Sequence, residues 1–133
     1  MGHLPDTNFF IHLIHRHGPL RSRYLAVAGF TTFFLSSIVL YELQVGVEKS
    51  SRLEANRERL LNLIANDFIL LPFSEEDASA AAKIRATLER QKQPIGPYDT
   101  LIAGQAIARG LTLVTANVSE FARVESLQLE DWS

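Results

Sequence analysis

The stretch PYDTLIAGQAIARGLTLVTANVSEF, residues 97–121, contains a helix, a buried strand and a second helical start in immediate succession. Asp99 stands at the beginning of an Ala-rich segment that predicts a helix, and Gly110 is the kind of residue that commonly ends one in a left-handed conformation. Residues 111–115 are apolar without polar alternation, which predicts a strand buried on both faces. One helical turn is predicted at residues 117–121. This order indicates an α/β fold.

The same succession of short apolar runs and amphipathic segments continues through the rest of the chain. Apolar runs without alternation are typical of a parallel sheet that is covered on two faces. Strands are predicted at residues 3–5, 32–35, 68–71, 111–115 and 127–129. Helices are predicted at residues 7–14, 20–28, 37–45, 52–66, 74–91, 98–109 and 117–121. We therefore predict a three-layer α/β fold in which helices flank a short, mainly parallel central sheet.

The composition suits one globular domain over residues 1–133, since 47% of the residues are hydrophobic and no repeat or linker interrupts the pattern. The formal net charge of −2 argues against a protein that coats nucleic acid through bulk basicity. A local basic patch beside an acidic metal site stays compatible with that charge. The absence of cysteine excludes disulfides, zinc–thiolate sites and thiol chemistry, and it is compatible with a reducing compartment.

Membrane insertion and secretion are not indicated by the sequence. No apolar run approaches the ~20 residues of a membrane span. The longest candidate, residues 30–40, is interrupted by Thr31, Thr32, Ser36 and Ser37. The N-terminus has no basic segment followed by an apolar one and a cleavage site, which argues against a signal peptide. We expect a cytoplasmic protein that does not associate with membranes.

Four acidic or amide side chains, each at a point where an apolar run stops, are the main functional signal. Asp6 follows the first predicted strand, and Glu42 lies in the helix after the second. Asn117 follows the penultimate strand, and Asp99 begins the helix before that strand. In open parallel sheets the ligand site lies beyond the carboxyl ends of the strands. We therefore expect all four side chains to reach one edge of the sheet.

A group of carboxylates and an amide, without Cys or His, suits Mg²⁺ or Mn²⁺, because these ions prefer oxygen ligands. Asp6, Glu42 and Asp99 are the predicted ligands. Asn117 offers a neutral oxygen and is better suited to hold a water or to contact the ligands. Glu120 would supply a fourth carboxylate, although a solvated helix position is the favoured interpretation of this residue.

Several neighbouring polar residues are candidates for support of such a site. Thr7, Asn8, Ser37 and Thr115 could orient ligands or waters through hydrogen bonds. Arg85 is a charge on an Ala-rich helix, and it could meet a phosphate or a carboxylate near the site. Each main candidate also has a simpler interpretation, since aspartate and asparagine are common helix caps. The strength of the hypothesis lies in all four positions falling at one predicted edge.

A cluster of basic residues follows the first predicted helix. It consists of His12, His15, His17, Arg16, Arg21 and Arg23. At most two of the histidines share a helix face, so surface histidines are favoured over a metal site. The arginines form either a basic rim that contacts RNA or, the favoured interpretation, a solvated face.

In four places the sequence resembles the PIN-domain ribonucleases and, within them, the VapC toxins of bacterial toxin–antitoxin pairs. These are LPDTN at 4–8, FLSSIVLYELQVGVEKS at 34–50, IRATLERQKQPIGPYDTLIAGQAIARGLTLVTANVSEFARV at 84–124, and LQLEDW at 127–132. The resemblance spans nearly the whole chain and implies a PIN-like, Rossmann-like fold. It implies an endoribonuclease that depends on Mg²⁺ or Mn²⁺. In such an enzyme, a metal-activated water held by Asp6, Glu42 and Asp99 leaves 5′-phosphate and 3′-hydroxyl ends on RNA.

The resemblance also implies particular partners. These are a homodimer, a larger assembly with a VapB-type antitoxin that covers the acidic cleft, and operator DNA bound only through that antitoxin. Family substrates include tRNA and ribosomal RNA. Exposed apolar positions on helices 20–28 and 52–66 are candidates for the dimer surface. The departures from the family pattern are Pro5, which precedes Asp6 in place of an ordinary apolar residue, and Asn117, where many members have Asp.

Two other functions are compatible with parts of the pattern. A phosphoacceptor receiver domain has a similar sheet, but it needs adjacent acids after the first strand and a Lys after a late strand. Here Asp6 stands alone and Asn117 occupies the position of that Lys. A degenerate PIN domain that binds RNA or protein without catalysis is the second alternative, against which the intact trio of acids argues.

Overall fold

The computed structural model describes residues 2–15 and 18–132, without the side chain of Asn66. Its elements in chain order are β1 Gly2–Pro5, α1 Thr7–His15, α2 Pro19–Val27, β2 Thr32–Ser36, α3 Ser37–Glu48, α4 Leu53–Asn66, β3 Phe68–Leu71, α5 Glu75–Arg90, α6 Pro97–Arg109, β4 Thr112–Val114, α7 Val118–Phe121 and β5 Leu129–Glu130. The predicted alternation of strands and helices is confirmed.

All strand pairs of the sheet are parallel, and the strand order is β3-β2-β1-β4-β5. The first strand is central: Gly2 lies opposite Thr32 on one side, and Leu4 lies opposite Leu113 on the other. Seven helices of the described residues flank the sheet. The predicted α/β class with a short parallel sheet is therefore confirmed. Because β1 has β2 and β4 as its neighbours, the segments that follow these three strands meet at one edge.

Pro5 leaves the first strand in register. It lies opposite Val114, and the next backbone N–H, that of Asp6, donates to the carbonyl oxygen of Val114 at 3.0 Å. Proline has no N–H to donate, but the N–H of the next residue, Asp6, makes the hydrogen bond that continues the pairing of β1 with β4. Asp6 consequently stands directly at the carboxyl end of the central strand, and Pro5 does not displace it.

The last strand begins two residues later than predicted. Leu129 lies opposite Leu113, and this pairing sets where the strand starts. Just before it, Ser126 has a φ of 68°, a left-handed conformation that turns the chain. Gly110 likewise ends α6 with a φ of 65°, in agreement with its predicted role as a helix stop.

An aromatic cluster holds the first two helices against the sheet. Phe33 of β2 lies at its centre, with ring centroids 5.0 Å from Tyr24, 5.7 Å from Trp132, 6.1 Å from Phe68 and 6.4 Å from Phe9. All five side chains are buried. Burial of one such ring contributes roughly 2 to 3 kcal/mol, so this cluster is a main source of stability for that part of the core.

Helices α5 and α6 approach each other very closely. A Cβ built on Gly104 would lie 2.6 Å from the backbone and the Cβ of Ala81, so only glycine allows the observed distance. On the α6 side, the neighbouring buried residues Ala103 and Ala106 are also small. This contact fixes α6, and with it the position of Asp99 in the first turn of that helix.

A buried polar network locks the same two helices to the end of β3. Asp77 is fully buried, and its carboxylate accepts from Arg109 Nε at 3.1 Å, Gln105 Nε2 at 3.1 Å and the Ser74 backbone N–H at 2.8 Å. Burial alone would raise the pKa of Asp77, but these donors bring it below its ordinary value. Gln105 also donates to the Leu71 carbonyl at 3.2 Å, which ties α6 to the sheet.

Within residues 2–15 and 18–132, no helix has the length and apolar character needed to cross a bilayer. Arg16 and His17, which the sequence places in the basic cluster, lie outside the described residues.

Candidate functional site

Asp6 is the most deeply buried of the candidate acids. Its side chain is only 6% exposed; Oδ1 accepts from the Phe9 backbone N–H at 3.0 Å, and Oδ2 accepts from the Thr115 hydroxyl at 2.6 Å. Burial raises the pKa of Asp6, an effect that these two bonds and the nearby His12 only partly offset. Asp6 therefore caps α1, and its carboxylate is held in place between the start of that helix and Thr115.

Glu42 is held by the first residue of α1. The Thr7 hydroxyl donates to Glu42 Oε1 at 2.8 Å, across 35 residues of sequence. Thr7 and Glu42 are both half-buried, whereas Asn8 is exposed. The side chain of Glu42 on α3 is thus drawn toward the beginning of α1, next to Asp6.

Asn117 and Glu120 continue the site beyond β4. The Asn117 backbone N–H donates to Thr115 Oγ1 at 2.9 Å, and the Asn117 side-chain amide donates to Glu120 Oε2. Glu120 Oε1 accepts from the Gly96 backbone N–H at 2.8 Å. The interpretation of Glu120 as a solvated helix residue is therefore wrong, because its carboxylate joins two loops. Asn117 begins α7 without a side-chain capping bond, since its amide is directed to Glu120.

Asp99 lies beside the loop that Glu120 holds. A Cβ on Gly96 would lie 3.3 Å from Asp99 Oδ2 and 3.9 Å from Glu120 Oε1, so both carboxylates flank one glycine. Burial raises the pKa of Asp99 to about 6, with further contributions from the charges of Glu120, Glu42 and Asp6 in that order. The four acids are thus close enough to repel one another, which is the situation that a cation relieves.

The donor set suits a hard cation, although the acids do not form a ready coordination shell. Among the residues that the structure describes, no group of three acidic or histidine side chains is close enough to hold a metal ion as it stands. Mg²⁺ commonly keeps several waters and binds directly to only one or two carboxylates. Asp6, Glu42 and Asp99 are the residues that could hold such an ion, directly or through waters, with Glu120 beside them.

Of three further candidates, Ser37 and Arg85 bond to residues other than the candidate acids, and Thr115 bonds to Asp6. Ser37 Oγ accepts from the Phe73 backbone N–H at 3.1 Å, so it connects α3 to the segment after β3. Arg85 donates to Glu89 at 3.0 Å in an exposed pair on its own helix, and not to one of the candidate acids. Thr115 is buried and bonds to Asp6, which is the contact expected of an orienting residue.

Two arginines of the basic cluster make contacts within the fold. Arg21 donates to the Leu13 carbonyl at 3.0 Å, and the Arg23 guanidinium lies 4.6 Å from the centre of the Trp132 ring. His15 is exposed and His12 half-buried. Arg21 thus connects two helices and Arg23 contacts the C-terminal segment, while Arg23 and His15 also remain exposed to solvent.

Sequence reasoning did not single out Tyr41 and Tyr98, which the fold brings together beside the acids. It also overlooked Gly96, whose lack of a side chain admits Asp99 and Glu120. A signal was present for the tyrosines, because each directly precedes a candidate acid in the chain.

The chain is similar to known proteins over nearly its full length. The family model described as "PIN domain" matches residues 4–127, which include every candidate acid. The tRNA(fMet)-specific endonuclease VapC of Shigella flexneri is 40% identical over 132 residues, which cover 96% of each chain. Ribonuclease VapC2 of Rickettsia felis is 38% identical over 133 residues, or 99% of this chain and 98% of that protein.

The chain is also similar to a solved structure over its full length. The crystal structure of VapBC2 from Rickettsia felis, bound to a DNA fragment from their promoter, contains a chain with a TM-score of 0.93. That chain is 36% identical in sequence, and the alignment covers 100% of both chains.

Proposed function

Because this chain belongs to the PIN-domain family, and within it to the VapC proteins, we propose that it is the toxin of a toxin–antitoxin pair. We further propose that it is an endoribonuclease that hydrolyses RNA with Mg²⁺, or alternatively Mn²⁺. The observation that carries the proposal is the set of interacting carboxylates at the carboxyl edge of the sheet. Burial and the charges of three other acids, Glu120, Glu42 and Asp6, raise the pKa of Asp99 to about 6, so the group is costly to keep together unless a cation binds it.

The chain's own residues have distinct roles in this proposal. Asp6 presents a carboxylate whose orientation is fixed by hydrogen bonds from the Thr115 hydroxyl and the Phe9 backbone N–H. Glu42, held by Thr7, and Asp99 complete the set of ligands. Such preorganisation lowers the barrier because no ligand has to be reoriented. A bound divalent ion would activate the attacking water and neutralise charge on the scissile phosphate.

Asn117 and Glu120 would act around these ligands. Their hydrogen bonds connect the segment after β4 to the loop before α6, so they fix the distance between Asp6 and Asp99. Glu120 also adds negative charge next to Asp99, which strengthens the attraction for a cation. We propose Asn117 as a residue that positions Glu120 and Thr115, and not as a direct ligand.

For the substrate we propose a transfer RNA or a ribosomal RNA. Support comes from the Shigella flexneri relative, which is named as an endonuclease specific for tRNA(fMet). A net charge of −2 is compatible with a nuclease that holds a small part of a folded RNA, and it is unfavourable for one that tracks long stretches of nucleic acid. Such an enzyme would act in the cytoplasm.

The proposed partners are a VapB-type antitoxin and a second copy of the chain. The solved neighbour from Rickettsia felis is a VapBC assembly on DNA, and we propose that this chain likewise reaches operator DNA only through its antitoxin. Leu25 on α2 and Leu61 on α4 are 64% and 59% exposed. These apolar side chains lie on the two helices expected at the dimer surface, which supports the proposed homodimer and larger assembly.

The test is cleavage of total cellular RNA by the purified chain, freed of antitoxin, with Mg²⁺, Mn²⁺ or chelator. Asp6→Ala and Asp99→Asn are the inactive variants expected, and Glu58→Gln is the matched control because Glu58 is an exposed acid on α4. We expect metal-dependent cuts at a few sites with wild type and Glu58→Gln only. Cleavage that survives in chelator or in both active-site variants would contradict the assignment. A folded chain that binds RNA without cutting it would instead indicate the degenerate binding domain.

A further inference from the structure

Two exposed tyrosines from different helices form a pair at the candidate site. The ring centroids of Tyr41 on α3 and Tyr98 on α6 are 5.6 Å apart, and the rings are inclined by 54°. Their hydroxyl oxygens are 3.4 Å apart, within a hydrogen bond. The two residues are 49% and 41% exposed, so neither ring belongs to the core.

The pair lies beside the acidic group. Tyr41 directly precedes Glu42, and Tyr98 directly precedes Asp99. The pKa of Tyr98 is raised, first by its hydrogen bond to Tyr41 and also by the negative charge of Glu42. The rings therefore lie within the electrostatic reach of the proposed ligands.

The electrostatics of the site favour an uncharged means of holding RNA. The acids repel a phosphate backbone, and the described arginines nearby are engaged elsewhere: Arg85 pairs with Glu89, and Arg123 donates to the Pro94 carbonyl at 3.0 Å. A nucleobase has an uncharged face that stacks on an aromatic ring in any sequence context. Because the tyrosine hydroxyls bond to each other, the surface that remains available is mainly ring.

We propose that Tyr41 and Tyr98 form a base-binding platform that receives an unstacked nucleobase adjacent to the scissile phosphate. The proposal rests on the nuclease function proposed above and specifies which RNA the site accepts. Bases inside an A-form helix are not available for stacking on side chains, whereas bases of loops, bulges and ends are. The platform would therefore direct the enzyme to single-stranded segments of folded RNA.

The first test measures steady-state cleavage of an RNA hairpin that contains the mapped cut site in its loop. Tyr41→Leu and Tyr98→Leu remove the ring, Tyr41→Phe and Tyr98→Phe retain it, and Phe30→Leu is the matched control. Phe30 is 90% exposed and lies outside the site. We expect the Leu variants to raise KM about 5- to 150-fold, as loss of one stacked base does, with a smaller effect on kcat. The Phe variants and Phe30→Leu should stay within about 3-fold of wild type, less than the loss of one stacked base produces.

The second test needs no variant of the protein. Hairpins with one abasic nucleotide are cleaved by the wild-type chain, and we expect a matching rise in KM at a single position beside the cut. In the Leu variants this abasic substitution should have no further effect, since the stacking partner is already gone. Equal cleavage of all abasic hairpins by wild type, or unchanged KM in the Leu variants, would overturn the platform.

Binding without cleavage separates this proposal from the proposed activity. The probe is the same hairpin with 2-aminopurine beside the cut site, measured with chelator present. If no cut is found, 2-aminopurine is placed at each loop position in turn. Quenching of its fluorescence reports stacking of that base on the protein. Quenching that Leu substitution abolishes, in a chain that cuts no RNA, would support the platform while the nuclease assignment fails. The platform would be overturned if quenching is unchanged in the Leu variants. If these variants also bind a peptide from the antitoxin C-terminus more weakly, the two tyrosines form a peptide site instead.

Discussion

The hydroxyl of Thr115 donates a 2.6 Å hydrogen bond to Asp6, although 109 residues separate them in the chain. The bond crosses from the end of β4 to the end of β1, and these strands are direct neighbours in the sheet. Thr115 Oγ1 also accepts from the Asn117 backbone N–H at 2.9 Å. One side chain thus fixes the carboxylate of Asp6 and the start of the segment that leads through Asn117 into α7, which carries Glu120.

Replacement of Thr115 by Val should weaken both stability and activity. The variant removes one of two donors to a buried carboxylate, which costs about 1 to 3 kcal/mol in the free energy of unfolding. RNA cleavage should fall about 10- to 100-fold, as is usual when a residue that orients a ligand is lost. Urea denaturation and initial cleavage rates measure the two effects. Thr112→Val is the matched control, because Thr112 donates to Gln128 at an exposed position.

Replacement of Asp99 by Asn should stabilise the metal-free protein at neutral pH. The folded protein raises the pKa of Asp99 to about 6, so it holds the proton more tightly than the unfolded chain. Asp99 therefore contributes stability below about pH 4, and that contribution is lost as the pH rises through 6. About 2 pKa units correspond to about 3 kcal/mol, which we reduce to about 1 to 2 kcal/mol because the group is only half-buried.

The corresponding measurement is urea denaturation of both proteins in chelator, at several values between pH 4 and 8. The free energy of unfolding of Asp99→Asn minus that of wild type should grow between pH 4 and 6 and stay constant above. Glu58→Gln should show a change below about 0.5 kcal/mol at every pH. A variant that is less stable than wild type at pH 7.5 would show that the repulsion among the acids is not significant.

Loss of Arg109 should be strongly destabilising. Arg109→Ala leaves the fully buried Asp77 without its cationic partner, which costs about 3 kcal/mol or more. Arg57→Ala is the matched control, since Arg57 makes exposed pairs with Glu48 and Glu54 that contribute at most about 1 kcal/mol. Thermal unfolding followed by circular dichroism distinguishes the two. Equal melting temperatures would mean that the buried pair does not hold α6 in place.

Two glycine-to-alanine changes should have opposite effects on the free energy of unfolding. Gly104→Ala places a Cβ 2.6 Å from Ala81 backbone atoms, and separation of α5 from α6 should cost about 1 to 3 kcal/mol. Gly46 lies in α3 with open space around its Cα, so Gly46→Ala should stabilise by about 0.5 to 1 kcal/mol. Urea midpoints measured side by side test both, and a neutral Gly104→Ala would contradict the close contact between α5 and α6.

Local sequence patterns were sufficient for most of the fold. The Ala-rich segment that starts near Asp99 and stops at Gly110 is a helix within one or two residues of its prediction, because helix starts and stops depend on near neighbours. The last strand was less well placed, since its start depends on the pairing of Leu129 with Leu113, a contact distant in sequence. Register is a tertiary property, and a short strand of two residues carries little pattern of its own.

The candidate site could be predicted as a set of positions but not as a set of contacts. Asp6, Glu42 and Asp99 were found because each stands where an apolar run ends. The solvated interpretation of Glu120 fails because its carboxylate accepts from the backbone N–H of Gly96, 24 residues away in the sequence. The sequence shows only that Tyr41 and Tyr98 each precede a candidate acid, whereas the contact between their rings depends on how α3 and α6 lie in the fold.

The sequence by itself determined the alternation of strands and helices and the position of each candidate acid at the end of an apolar run. These depend on hydrophobic periodicity and on caps that act over a few residues. Only the tertiary structure decided which carboxylates lie near one another and how strongly their charges interact. The raised pKa of Asp99 requires burial together with the charges of Glu120, Glu42 and Asp6, which arrive from three other segments. Electrostatic interaction depends on distance in space, and the folded sheet alone sets that distance.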